Sequence, residues 1–356
     1  MKQHNTPVRP IPETIPELTI GLDLSDRTAR YCELNQAGEI LAEGQIKLTP
    51  AALTRYLSGK LHARVALETG GQSAWVAECI ARLGHEAIVA HARDLEAVTG
   101  RPHRTDPHDA RQLARLARVD PALLHPVELR DAARQADLSV IRARALLVDM
   151  RTQLINFTRG IAKTTGQRLP AAASHRFADR VRDAIPEPLR AALEPVLRVL
   201  EQVADEIDGF DDAVEELADT RYPETRWLRQ VPGVGTLTAV TFVLTLGDAQ
   251  RFTHSRDVGP FLGLVPRRRQ SGQQDPHLPI TKCGDRYLRR LLVQCAHVVM
   301  GRWGPDCSLR RWALAHAAAS RAAKKRTIVA VARKLAVLLH RLWSRQETFV
   351  PFPAAA

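Results

Sequence analysis

The sequence predicts an α/β domain at the N-terminal end, a long-helix segment in the middle, and a mostly α, basic domain at the C-terminal end. Three observations carry this reading. Short apolar runs separated by turn signals fill the first 90 residues. Residues 126–220 are almost free of glycine and of strand patterns. The positive charge collects beyond Leu264.

Taken in order, residues 17–48 read as three short strands: LTIGLDLS, TARYCELNQ and, after a turn at Ala37-Gly38, EILAEGQIKL. Residues 50–59 read as a helix. ARVALE is a short apolar run that suits the centre of a parallel sheet. QSAWVAECIARLG has apolar residues at helical spacing and a glycine stop. HEAIVAH gives a fifth strand. RTDPHDARQLARLARV starts a helix with Pro107 in its first turn, where a missing N–H is tolerated. Three antiparallel strands, then alternating helix and strand, is the order of a ribonuclease H-like fold. That fold places acids on its first strand, its fourth strand and a late helix. Here Asp23 ends the first run, Glu68 ends ARVALE, and Asp106 and Asp109 lie three apart at the helix start.

The expected divisions are a disordered leader over 1–16, an α/β domain over 17–125, a helical region over 126–222, a basic domain over 223–346 and a tail over 347–356. The helical region holds two long amphipathic patterns, which form either an antiparallel hairpin or an intermolecular coiled coil. It is expected to act as a coiled-coil spacer and oligomerisation element. The basic domain opens with VPGVGTLTA, which is like half of a helix-hairpin-helix element. Its Gly233 and Gly235 would bring free amides to a phosphate; the alternative is a plain tight turn. The basic loop RRRQSGQQDPHLP and a helix from ITKCGDRYLRRLLVQCAHVVM follow.

The chain has 51 Lys and Arg against 39 Asp and Glu, a formal charge of +12. Leu264 to Arg345 alone holds 18 basic and three acidic residues, so the rest of the chain is slightly acidic. A polyanionic partner follows, with nucleic acid favoured. Candidate phosphate contacts are Arg267, Arg268, Arg269, Lys282, Arg286, Arg289 and Arg290. A membrane-surface helix over AAKKRTIVAVARKLAVLLHRLW is an alternative, but its apolar face equally suits packing onto a core, and a membrane role leaves the acids unexplained. No run is long and apolar enough to span a membrane, and the N-terminus lacks the apolar core of a signal peptide. The five cysteines form no CxxC pair, which argues against zinc or disulfides and for a reducing cytoplasm.

Oxygen ligands suit hard divalent cations, Mg²⁺ or Mn²⁺. Such cations serve phosphoryl transfer. Each acid has a bland alternative: a surface carboxylate, or for Asp106 and Asp109 a helix cap. Together they predict a metal site. Ser271 follows three arginines and precedes a glycine; it is either an activated nucleophile or part of an ordinary polar loop.

The chain resembles transposases of the IS110/IS1111 group from Ile20 to about Leu342. The resemblance is carried by GLDLS, ALETGG, RTDPHDARQLARL, VPGVGTLTA, GLVPRRRQSG and ITKCGDRYLRRLL. It implies a RuvC-like domain with a DEDD tetrad at Asp23, Glu68, Asp106 and Asp109, and a serine at Ser271. It also implies recombination between donor and target duplex DNA, guided by a structured RNA, by a homo-oligomer such as a dimer or tetramer. Two positions depart from the family's pattern: Arg104 stands where lysine is frequent, and Asp285 where asparagine is. Competing functions are a RuvC-like Holliday-junction-type endonuclease and a catalytically silent DNA-binding regulator.

Overall fold

The computed structural model describes residues 15–90, 106–269, 276, 278–318 and 320–352, with only the backbone of Asp106 and Pro107. The chain divides into two compact units, Pro7–Ala133 and Arg134–Ala356.

In the first unit, β1 (Leu18–Leu24), β2 (Thr28–Asn35) and β3 (Ile40–Lys47) form an antiparallel meander. Gly38, at φ 90°, supplies the left-handed turn between β2 and β3. After α1 (Pro50–Leu57), β4 (Ala63–Glu68) returns beside β1 and runs parallel to it. Then α2 (Ser73–Arg82) leads to β5 (Glu86–Ala90), parallel to β4. The sheet order is β3-β2-β1-β4-β5. Helix α3 (Asp106–Val119) closes the unit. This mixed five-stranded sheet with its helices fits an α/β RNase H-like domain.

Alternation along the strands sends side chains to two faces. Leu18, Ile20, Leu22, Val65 and Leu67 pack with α1 and α2 residues such as Leu53, Leu57, Val76 and Ile80. On the other face Cys32 and Leu34 meet Ala110 and Ala114, while Ala66 and Ile88 meet Leu113 and Ala117. The central strands are therefore covered on both sides, which is why their sequences read as nearly unbroken apolar runs.

In the second unit, α4 (Ala132–Lys163) and, after the short α5 (Phe177–Val181), α6 (Glu187–Thr220) are the long helices. They run antiparallel. The Tyr222 hydroxyl donates to buried Asp137 at 2.6 Å, Arg144 Nη2 donates to Asp211 at 2.9 Å, and Ile155 shares a cluster with Leu193, Leu197 and Leu200. Helix α6 continues through Pro195, an exposed position where one i→i−4 bond is forgone. The ends near Leu138, Ile141, Val214 and Ala218 join one large core with the remaining helices. These are α7 (Thr225–Arg229), α8 (Thr236–Leu246), α9 (Val258–Phe261), α10 (Arg286–Met300), α11 (Ser308–Ala317) and α12 (Arg321–Arg345).

Two features differ from the sequence reading, and a third decides between two open alternatives. Helix α10 starts only at Arg286, because Ile280 bridges to Pro266 and Lys282 takes a left-handed φ of 58°. Helix α11, capped by Cys307, was not anticipated. The apolar face of α12 is not a membrane face: Ile328, Val331, Leu335, Leu339 and Trp343 lie in the large core. Among the described residues no helix is long and apolar enough to cross a membrane. All five cysteines are free, and Cys283 is the exposed one.

Candidate functional site

Asp23 and Glu68 occupy neighbouring strand ends. The last paired residues of parallel β1 and β4 are Leu22 and Leu67, and each acid is one residue further along its strand. Adjacent strands run about 4.8 Å apart. Both acids are half-buried. Arg30 stands directly opposite Asp23 on β2, a cation beside the carboxylate.

Both acids face α3. Gly21 is two residues before Asp23, on the same face, and a Cβ there would collide with the Ala110 carbonyl of α3. Ala66, two before Glu68, packs on Leu113 and Ala117 of the same helix. The N-terminal turn of that helix carries Asp106 and half-buried Asp109. The fold thus brings Asp23 and Glu68 together and directs them to the face α3 covers. The side chain of Asp106 lies outside the described residues. Among those described, no three His, Cys, Asp or Glu side chains are close enough to form a metal cluster. Burial, reinforced by Glu43, pushes the thiol of Cys32, beneath α3, up to about 12.

Residues that seat α3 were not singled out from sequence. Gly21 permits the close approach; a glycine inside a strand run is the available signal. Buried Arg64 on β4 donates to Glu86 Oε2 at 2.8 Å and to the Ala117 carbonyl at 3.1 Å. Its charge sits near the helix C-terminus, the end that favours cations. Arg111 on α3 pairs with Glu43 on β3, and this partner holds the Glu43 carboxyl below its ordinary range. Sequence spacing offered no route to Arg64, since its two partners come from separate elements.

Ser271 and Gly272 lie outside the described residues. The stem that presents their loop is described. Arg267 N donates to Pro279 O at 2.9 Å, Thr281 N to Val265 O at 2.8 Å, and Lys282 N to Gly263 O at 3.1 Å. Gly263 and Gly284 both have positive φ, and a Cβ on either would strike the opposing backbone, Cys283 and Phe261 respectively. The two sides of the stem therefore press together before α10 begins. Asp285 then caps α10, accepting from Leu288 N at 2.7 Å. Asparagine performs the same task, so the departure at 285 leaves the helix start intact.

The basic residues divide. Arg267, Arg268, Arg269, Lys282 and Arg286 are exposed around the stem. Arg290 pairs with Asp149 of α4 at 3.1 Å. Arg289 is turned onto the loop's own backbone, with Nη1 donating to the carbonyls of Leu262 and Gly284 at 3.0 Å and to that of Cys283. Gly233, at φ 81°, makes the turn between α7 and α8, where a Cβ would meet the Cys295 carbonyl and Val298 of α10 at 3.1 Å. Gly235 is the N-cap residue of α8 and faces open space.

Comparison with known proteins matches the same two regions. The model of a DEDD-type IS110 family, described as "Transposase", matches residues 20–165. That of "Transposase IS116/IS110/IS902 family" matches residues 225–313. A "Probable family 20 transposase" of Pseudomonas aeruginosa is 29% identical over 343 residues, covering 93% of this chain and 98% of that protein. The "Transposase for insertion sequence element IS1111A" of Coxiella burnetii is 27% identical over 342 residues, covering 93% and 90%. The counterpart of IS1328 from Yersinia enterocolitica is 29% identical over 301 residues, covering 81% and 86%. The RNase H-like sheet and these matches define the class: a DNA transposase, an enzyme of DNA recombination that binds DNA and carries a RuvC-like, DEDD-type domain. Within that class, the chain belongs to the IS110 family.

Proposed function

We propose that this transposase cuts and rejoins DNA strands with two sets of residues, the acids Asp23, Glu68, Asp106 and Asp109, and the serine Ser271. The observation that carries the reading is the meeting of Asp23 and Glu68 at adjacent strand ends, on the face covered by α3. A donor set made only of carboxylate oxygens fits a hard divalent cation, Mg²⁺ or Mn²⁺. When bound, the cation supplies Lewis-acid stabilisation of charge on the scissile phosphate.

The serine does the covalent work. Ser271 Oγ forms a bond to phosphorus while one phosphodiester P–O bond breaks, releasing a DNA hydroxyl. The hydroxyl of a strand from the other duplex then attacks the phosphoserine and releases the serine. One phosphoester replaces another at each step, so exchange needs no ATP. Exposed Arg267, Arg268 and Arg269 precede the serine and stabilise phosphate charge, with Lys282 and Arg286 along the same basic segment, while Arg290 is engaged by Asp149. Arg289 shapes the loop that these residues use. The VPGVG turn at Gly233 and Gly235 acts as a helix-hairpin-helix-like phosphate contact. Recognition of donor and target sequence rests on a structured guide RNA in this reading, and the protein works as a homo-oligomer through its long helices, in the bacterial cytoplasm.

The first test is Asp23→Asn. A metal's contribution to transition-state charge is several kcal/mol, so Mg²⁺-dependent strand cleavage should fall by about three orders of magnitude while DNA binding persists. Full activity of this variant would remove the tetrad from the mechanism.

A further inference from the structure

Trp303 is the most exposed large apolar side chain among the described residues, at 87%. It lies in the loop between α10 and α11, and the backbone around it is fixed. Arg310 Nη1 donates at 2.6 Å to both the Val299 and Gly301 carbonyls, tying the end of α10 to the start of α11. Gly304 N donates to Gly301 O at 3.1 Å, and a Cβ at Gly304 would strike the Val299 carbonyl. Arg311 pairs with Asp306, and Ser308 N donates to Pro351 O at 2.9 Å. The loop is thus held on both sides while the indole stands in solvent. The Arg302 guanidinium lies 5.1 Å from the indole centroid.

A large aromatic on a preorganised loop loses little entropy on meeting a partner. The partner's chemistry follows from the surroundings. Trp303 sits within the segment of 18 basic and three acidic residues, and one of those acids, Asp306, is paired with Arg311. An occupant that offers a flat π face and negative charge suits an indole flanked by arginine. An unpaired nucleotide offers both, while a paired base keeps its faces inside the duplex stack.

We propose that Trp303 is a stacking platform for an unpaired base of a DNA strand opened during exchange, with Arg302 beside it to meet the adjoining phosphate. The inference rests on the assignment as a DNA transposase and not on the roles of the acids or Ser271. Its test reads binding, so it stands or falls separately from the cleavage mechanism.

The test is equilibrium binding of the full chain, at one salt concentration, to two DNA duplexes that differ only in a few central unpaired bases. Trp303→Ala should weaken binding to the interrupted duplex about ten-fold, and to the fully paired duplex by less than about two-fold. Trp303→Phe, which keeps a π face, should retain most of the affinity. Equal losses on both duplexes, or no loss on either, would overturn the proposal. So would a Trp303→Ala protein whose light-scattering mass differs from the parent's, since the occupant would then be a second copy of this chain.

Discussion

The two units use charge in opposite ways. In the first, a few carboxylates stand at the ends of strands covered on both faces, and the sheet itself sets where they point. In the second, many cations are spread over helices and loops, and several are spent on structure. Arg289 holds loop carbonyls, Arg310 ties two helices, and Arg290 pairs with Asp149, while Arg267, Arg269 and Arg286 lie exposed. The difference teaches that a residue's charge predicts its role only where the backbone fixes its surroundings. At a strand end, an acid's neighbours follow from register. On a basic helix, one arginine can be scaffold while a close neighbour reaches solvent.

Disturbing the seat of α3 should have the largest effect. Gly21→Ala places a methyl against the Ala110 carbonyl, so the helix must shift away from β1. Overpacking of this kind costs about 3 kcal/mol. Chemical denaturation should show that loss, and under the proposed role of the acids strand cleavage should fall with it, because α3 carries Asp109 away from β1. Unchanged stability would mean that α3 is not pressed on β1.

Next in size is a contrast within the basic unit. Arg289→Ala should destabilise the fold by about 1 kcal/mol, through lost hydrogen bonds to carbonyls, and leave the salt dependence of DNA affinity unchanged. Arg286→Ala should leave stability unchanged and lower the slope of log affinity against log salt by about one. Equal salt slopes for the two variants would dissolve the division between scaffold and contact arginines.

The smallest expected effect concerns buried His340, whose ring bonds Ser255 Oγ at 2.9 Å and Ala249 O at 2.8 Å. Burial holds its pKa below the ordinary 6.5. The unfolded chain therefore binds the proton first as pH falls. Its contribution to stability is full above pH 6.5 and is lost as pH drops from there through the folded-state pKa. Denaturation midpoints at about pH 7.5 and 5.5 should differ for the parent, and His340→Asn should narrow that difference.

Most of the first unit was legible in the sequence because its signals are local. Alternation, apolar runs and glycine turns mark all five strands, and Asp23 and Glu68 announce themselves by ending two of those runs. Arg64 was not legible: a charge inside ARVALE gains its meaning only from Glu86 and from Ala117, 53 residues away. The same holds for His340, whose partners lie 85 and 91 residues distant. The start of α10 escaped because Lys282 adopts a left-handed backbone that its residue type does not advertise. The seam of α12 was visible as an apolar stripe, but pattern alone did not separate a core face from a membrane face.

The central claim is that the acids prepare a phosphate and Ser271 takes it. The most direct measurement is to trap the protein–DNA adduct with Mg²⁺ and a donor substrate, then locate the modified residue by peptide mass spectrometry. Phosphoserine linkage at Ser271 is expected, with no adduct from either Ser271→Ala or Asp23→Asn. Cleavage by Ser271→Ala with no covalent adduct in the parent would contradict it, and would make the enzyme one that hydrolyses with water.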